Sequence, residues 1–430
     1  MMVQWLRTAF CTLGNNRLGK SVFRASTQEH GMAQTAGERT TQSPPHKRLR
    51  VLHTYKVYLP DVEGGIPSAI HALTVRMTAR CQSAILTTRR WGTPKTLVVD
   101  GMPVTRALAL ITLRALPLAP FYPLALLFHS RKADVVALHT PFPLADVLTA
   151  FYFPQRCALV VHWHSDVVRQ KWLLRLVAPL MRRTLQRADR IIVSNAPLVT
   201  HSPFLRPVAD KCAVVPFGAD LSYWPHLNEE EKQQVSALQQ QYPRLVVATG
   251  RLVSYKGFEV LIEAFSSVNA QCVIVGEGSL DQQLRRQIAM LGLQDRVHLT
   301  GRLEQSALKC LLHAAQVFAL PSVTPAETFG IVQIEAMACG LPVVNTDLPT
   351  GVPWVARHKQ EGLTVPAGQA APLAQALTAL LDDPDLRVRL GMAGATRAFD
   401  LFDEQQFLEK TRRIYEMETL RAQKRVSIKQ

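Results

Sequence analysis

From Arg48 onward, short β-branched runs alternate with segments of helical apolar spacing, and that alternation restricts the chain to one class of fold. The first set of runs is LRVLHTY, QSAILTT, ADVVALH, ALVVHWH, RIIVSN and CAVVPFG. The second set is RLVVATG, QCVIVGEG, RVHLTGRL, VFALPS, PVVNTD and GLTVP. Between them lie stretches such as LDQQLRRQIAMLGL, residues 280–293, whose apolar positions recur every three or four residues. Strands that alternate with helices form βαβ units and parallel sheets. Six candidate strands in each half predict an α/β protein of two doubly wound domains. A length of 430 residues agrees with two cores.

The polar, turn-rich stretch FGADLSYWPHLNEEEK, Phe217 to Lys232, separates the halves. It divides the chain into an N-terminal extension (1–47), a first domain (48–225), a second domain (226–398) and a C-terminal segment (399–430). The last segment reads as helix to about Leu420, followed by a frayed basic tail, RAQKRVSIKQ. In open α/β sheets ligands bind beyond the C-terminal strand ends, so the expected site is the cleft between the domains.

The formal charge of +16 suggests anionic partners: nucleic acid, anionic lipid or phosphorylated small molecules. Residues 1–47 hold six Lys or Arg against Glu29 and Glu38, so most of the excess belongs to the folded part. Seven cysteines are scattered singly, without CxxC pairs, as expected of reduced thiols in a cytosolic protein. Zinc-ligand spacing is absent, and no metal or cofactor is expected. The apolar run Ala107 to Phe128 is long enough to cross a bilayer, but Arg114, Pro117, Pro120 and Pro123 interrupt it. It is expected to be soluble core. The segment RQKWLLRLVAPLMRRTLQRADR, residues 169–190, is a basic amphipathic helix. It fits either an anionic membrane surface or a solvated face over a packed helix.

Chemistry concentrates at strand exits. After VFALPS, Glu327 stands in a loop and a helix is expected to begin near Phe329 or Gly330. Its first amides, through Ile331, have no intrahelical partner and offer an anion site. Ile331, Ile334, Glu335 and Ala338 share one helical face, so Glu335 sits among apolar neighbours. A carboxylate there is costly without partners, and hydroxyls such as a ribose diol would supply them. A salt bridge to an arginine is the plain structural alternative for either acid.

In ATGRLVSYKG, Gly250 and Gly257 bracket Arg251 and Lys256, two cations that suit a diphosphate, or else a solvated basic loop. Gly276 and Gly278 in VIVGEGSL let backbone approach a nucleotide, but they do not complete a dinucleotide fingerprint. In the first half, Gly64 and Gly65 follow the first strand. They fit a phosphate or sugar loop, or an ordinary tight turn. VVHWHSD places His162 and His164 on the same side of a strand exit, with one of them expected to line the cleft. His139, ending ADVVALH, is expected to be structural.

The ordered set (GGI near the start of the folded part, GRLVSYKG, and ETFGIVQIEAMACGLPVV with Glu327 and Glu335 in an E-x7-E arrangement) resembles the family 4 retaining glycosyltransferases of the GT-B fold. The likeness covers roughly residues 48 to 400. It implies two Rossmann-like doubly wound parallel-sheet domains facing across a cleft, with a C-terminal helix crossing back. It further implies that Arg251 and Lys256 bind the donor diphosphate, assisted by the helix start at Phe329 and Gly330. Glu335 would hold the ribose and Glu327 would contact the transferred sugar. Gly64 and Gly65 would cover sugar and phosphate, Gly301 and Arg302 would lie near the base, and His164 would stand beside the anomeric carbon.

HWHSD together with DLPTGVPWVA looks most like bacterial mannosyl- and rhamnosyltransferases of surface-polysaccharide assembly. The chain departs from family patterns after PVVNTD, where a GG-x-PE stretch is missing, and at Gln369, where Asp is frequent. The implied partners are a nucleoside diphosphate sugar and a saccharide or polyprenyl-linked acceptor at the inner membrane face, with no nucleic acid. A dinucleotide oxidoreductase lacks its glycine fingerprint here. A sugar-nucleotide epimerase or phosphorylase of the same fold, and a non-catalytic membrane- or nucleic-acid-binding protein, stay open at this level.

Overall fold

A computed structural model describes residues 48–428, apart from 63–64, 114–115 and 167–170. These residues belong to a single unit, in which the alternating runs become two main sheets. The first half supplies β1 (Leu49–Thr54), β2 (Cys81–Arg89), β3 (Thr96–Val99), β4 (Met102–Leu108), β5 (Ile111–Leu113), β6 (Leu116–Leu118), β7 (Val135–Thr140), β8 (Ala158–Trp163), β9 (Arg190–Val193) and β10 (Cys212–Val214). The second supplies β11 (Leu245–Thr249), β12 (Gln271–Val275), β13 (Val297–Gly301), β14 (Val317–Leu320), β15 (Val343–Asp347) and β16 (Gly362–Pro366).

The helices that build or brace the site and its surroundings are α1 (Gly65–Val75), α2 (Tyr122–Ser130), α3 (Pro143–Phe151), α4 (Lys171–Arg187), α5 (Glu229–Gln241), α6 (Ile331–Ala338), α7 (Pro384–Phe402) and α8 (Glu404–Ser427).

The second sheet has the order β13-β12-β11-β14-β15-β16, and every pairing in it is parallel. Strand order reverses between β11 and β14, which opens a crevice beyond their C-terminal ends. All six expected strands of this half are present. The first sheet, β10-β9-β8-β7-β1-β2-β4-β3, reverses between β1 and β7. It has eight strands, two more than the six expected, because β4 pairs in parallel with β2 and β3 adds an antiparallel edge to β4. The apolar run Ala107–Phe128 folds as the end of β4, the β5–β6 hairpin and α2. Among the described residues no helix is long and apolar enough to cross a membrane.

Strands buried on both faces carry unbroken apolar runs. Every residue of β7 and of β8 is buried, and so is every residue of β11 and β14. α5 opens the second half behind a capping box: the Asn228 side chain accepts from Glu231 N and the Glu231 carboxylate accepts from Asn228 N.

After α7 the chain returns to the first half. Ala219 N donates to Phe402 O, Glu404 N donates to Ala219 O, and α8 then lies on the first sheet. Phe407, Leu408, Ile414, Tyr415 and Ala422 join Val51, Val135 and Val160 in one core. The tail expected to fray after Leu420 is helical to Ser427. Burial of Ala422 and the bond from Arg425 to Asp189, 2.6 Å, hold its end against the first half.

Candidate active site

The crevice of the second sheet is built from three strand exits held backbone to backbone. Gly250 N donates to Val275 O, Leu252 N to Glu277 O, and Gly276 N to Gly301 O, each at 2.9 Å. Gly276 has φ +145°, and a Cβ there would lie 1.9 Å from Gly250 O, so only glycine allows the two exits to touch.

The chain then turns through a short 3-10 segment, Ser254–Lys256, that sends the Lys256 side chain back over Gly250. Its Nζ reaches Glu327 Oε2 at 2.5 Å, and Ser322 Oγ donates to the same oxygen at 3.2 Å. Lys256 and Glu327 are both buried, at 8 % exposure. Arg251 is exposed, with Nη2 donating to Tyr255 OH at 3.3 Å.

Past β14, Gly330 caps α6 in the left-handed conformation, φ +71°. The helix therefore begins at Ile331, slightly later than expected from sequence, because the glycine turns the chain just before it. Gln333 fastens this start from inside, donating from Nε2 to Phe329 O at 2.7 Å and to Val352 O at 3.2 Å.

Glu335 is the fifth residue of α6 and is half-buried. Its carboxylate has no hydrogen-bond or ion-pair partner among the described residues, and desolvation pushes its pKa up to about 7. Among the described residues no arginine answers this acid. Glu327, by contrast, has the salt-bridge partner considered from sequence, with lysine in the place of arginine.

The opposing wall comes from the exits of β1, β7 and β8. His53 Nδ1 meets His139 Nε2 at 3.2 Å, and His139 Nδ1 meets His164 Nε2 at 2.9 Å. All three are buried, and desolvation lowers each ring's pKa, to about 3 for His53 and His164. Neutral rings carry one proton each, so the tautomers are linked. If His139 donates to His164, His53 must donate to His139 and the His164 proton sits on Nδ1. If His164 donates, the whole chain reverses.

His162 and His164 part ways. His162 Nε2 pairs with Tyr415 OH of α8 at 2.7 Å. His164 stacks on Phe217, ring centroids 5.5 Å apart and planes within 8°. Phe217 meets Phe329 edge-on at 5.4 Å. An aromatic chain thus joins the histidine wall to the start of α6. Gly65, at the start of α1, also faces α6, where a Cβ would lie 4.0 Å from Ile331 Cδ1.

Against known proteins, residues 63–223 match the family described as Glycosyltransferase Family 4, and residues 228–397 match Glycosyl transferases group 1. The chain is 32% identical over 365 residues to D-rhamnosyltransferase WbpZ of Pseudomonas aeruginosa, spanning 82% of this chain and 92% of that one. The chain is a family 4 glycosyltransferase.

It is also 28% identical to the O-antigen chain mannosyltransferase C of Escherichia coli, over 85% of this chain and 98% of the relative. Its GT-B fold is shared with Anabaena Alr3699/HepE, solved in complex with UDP, at TM-score 0.69 and 20% identity, over 86% of this chain and 100% of that one. It is shared as well with sucrose-phosphate synthase of Thermosynechococcus elongatus, at TM-score 0.70 and 21% identity, over 86% of this chain and 99% of that one.

Within this glycosyltransferase the fold brings Gly250, Lys256, Gly276 and Glu327 together at the strand exits; Phe329, Gly330 and Ile331 form the start of α6, Glu335 stands further along that helix, and Gly65 lies against Ile331. Gly301 ends β13, and Arg302 follows it on the exposed side. Gly64 lies outside the described residues. His164 reaches the site through Phe217 rather than by touching Lys256 or Glu327. Sequence reading missed Ser322, Phe217 and His53. Ser322 and His53 are visible as polar residues in VFALPS and LRVLHTY; Phe217 carries no signal beyond its place in the linker. The described residues contain no cluster of three side chains able to hold a metal ion.

Proposed function

We propose that the protein transfers a hexose, mannose-type favoured, with retention from a nucleoside diphosphate sugar to a saccharide or lipid-linked acceptor in cell-surface polysaccharide or glycolipid synthesis. The observation that carries this reading is the unpartnered Glu335 carboxylate, one helix turn inside α6, the helix that follows the loop in which Glu327 pairs with Lys256. A desolvated acid that lacks a cation calls for hydroxyl donors, and a cation with free helix amides calls for phosphate. A nucleoside diphosphate sugar supplies both, with ribose on Glu335, diphosphate on Lys256, Arg251 and the α6 start, and sugar beside Glu327. The rhamnosyl and mannosyl relatives support the donor class and the polysaccharide setting.

In the mechanism the bond from the anomeric carbon to the diphosphate oxygen breaks, and Lys256, Arg251 and the α6 amides stabilise the charge that develops on it. The acceptor hydroxyl oxygen bonds to the same carbon from the leaving-group face and passes its proton to a diphosphate oxygen. His164, held neutral, serves as a hydrogen-bond partner near the reacting carbon and not as an acid. Closure of the two halves about the Phe217 linker excludes water. The site requires no metal, and the setting is the inner face of the cytoplasmic membrane.

Nuclear magnetic resonance of the product tests the stereochemistry. A product with the donor's anomeric configuration is expected, and an inverted one contradicts the proposal. Donor consumption without dependence on the acceptor would point instead to an epimerase or phosphorylase.

A further inference from the structure

Three central strands of the first half carry a buried histidine at or just beyond their exits: His53 on β1, His139 on β7 and His164 past β8. Apolar side chains would fill such positions without desolvating any polar group, so three imidazoles in line are costly unless each is bonded. The rings of His139 and His164 lie within 7° of parallel, with centroids 5.2 Å and nitrogens 2.9 Å apart. For His53 and His139 the two separations are 5.5 and 3.2 Å. Each centroid separation is the nitrogen distance plus two ring radii, so the rings meet edge to edge and both bonds are straight. His162 is not a link in this chain. It stacks on the face of His139, centroids 4.4 Å apart, and bonds to Tyr415 instead.

Each end of the chain keeps one nitrogen, His53 Nε2 and His164 Nδ1, without a hydrogen-bond partner among the described residues. A buried N–H left unmet is rarer than an unmet acceptor. His53 is 1% exposed and faces the Tyr415 ring, so its free nitrogen is the bare one. The protons then run from His53 to His139 to His164, and an N–H is left on His164 Nδ1. That end is the one joined through Phe217 and Phe329 to the start of α6.

We infer that His139, backed by His53, is a positioning residue of the transfer: it holds His164 in the Nδ1-protonated form, set to donate to an oxygen of the bound nucleoside diphosphate sugar. The inference rests on the donor reading of the site given above. No proton leaves the ring; the chain supplies a fixed hydrogen-bond donor, in place before the donor sugar arrives. Desolvation keeps all three rings neutral. The other titratable groups that face them are Tyr55, His162 and Tyr415, which are buried and uncharged as well.

Nitrogen-15 spectra of the imidazoles in the full chain, without ligand, read the tautomer of each ring, and His164→Gln assigns its signals. Wild-type His164 should show a protonated Nδ1 and a bare Nε2, unchanged between about pH 7 and 5. His139→Leu should leave His164 in mixed tautomers that titrate nearer to about 6.5. In His139→Asn the amide can donate from the same place, so the Nδ1-protonated form should return. Turnover is then followed with GDP-mannose and UDP-glucose as probes. On the one consumed, His139→Leu should lose roughly a hundredfold in kcat with KM within about twofold of wild type, and His139→Asn should regain most of the loss. A wild-type His164 that is charged, or protonated on Nε2, overturns the inference, and this spectrum decides even if His139→Leu does not fold. So does a His164 tautomer that His139→Leu leaves unchanged, or a kcat that stays at the wild-type value when the tautomer shifts. A fixed Nδ1–H that His139→Leu releases, in a protein that binds no nucleotide sugar, would refute the transferase reading and leave the order of protons standing.

Discussion

Lys256 Nζ stands 2.5 Å from Glu327 Oε2, and both residues are buried where the strand order of the second sheet reverses. An ion pair in that position is costly to break from one side, because the remaining charge stays buried. Lys256→Met or Glu327→Leu alone should destabilise the fold by about 3–5 kcal/mol in urea unfolding. The double variant should recover most of that loss and still fail to turn over donor. Additive destabilisation would show that the pair is not coupled, and turnover by the double variant would remove both residues from the reaction.

Glu335 gives a pH dependence of one sign. Its folded pKa is about 7, against 4.5 for the ordinary side chain. The native state therefore holds more protons than the unfolded chain between those values, and stability falls as pH rises through that window. The loss is at most about 3 kcal/mol, and Glu335→Gln should abolish it. Ribose hydroxyls that donate to the carboxylate favour its charged form, so donor binding near neutral pH should release protons. Calorimetry in two buffers of different ionisation enthalpy reads this directly. Equal heats for wild type would contradict a ribose role for Glu335.

The histidine wall works in the opposite direction. His53, His139, His162 and His164 are all buried with lowered pKa values, chiefly by desolvation. The unfolded chain takes up protons near pH 6.5 and the native state does not, so stability is full above that pH and is lost as pH falls. One pH unit below 6.5, each ring accounts for about 1.4 kcal/mol. Unfolding followed from pH 7 to 5 should show a steep loss that His53→Asn and His139→Asn each reduce. A flat profile would mean that the rings are charged in the native protein.

Tyr415 fastens the returning helix. Its hydroxyl pairs with His162 Nε2 at 2.7 Å inside the first half. Tyr415→Phe keeps the ring in the core and leaves the imidazole nitrogen unsatisfied, so it should cost about 1–3 kcal/mol in chemical unfolding. An unchanged midpoint would show that the bond adds nothing to helix docking.

Strand positions are legible in the sequence because buried parallel strands carry continuous apolar runs, and ALVVHWH or RLVVATG has no other reading at that spacing. The β3 edge and the β5–β6 hairpin are not. Their residues, in TLVVDGMPVTRALALITLRALPL, have no regular alternation, and the prolines read as interruptions of one long run. Charge alone suggests fraying after Leu420, whereas tertiary burial of Ala422 and the Arg425–Asp189 bond decide the helix end. At the site, Glu335 stands out because a carboxylate breaks an apolar helical face. The partners of Glu327 do not, since Lys256 and Ser322 reach it from separate loops. The His53–His139–His164 chain joins three strands that only the sheet order makes neighbours.

A nucleotide-sugar site at α6 is tested by thermal unfolding against a panel of nucleoside diphosphate sugars, run on wild type, Glu335→Ala and Lys256→Ala. At least one donor should raise the wild-type midpoint, in proportion to its saturation, and leave both variants unmoved. The site is refuted if no nucleotide sugar stabilises wild type, or if the variants respond as wild type does.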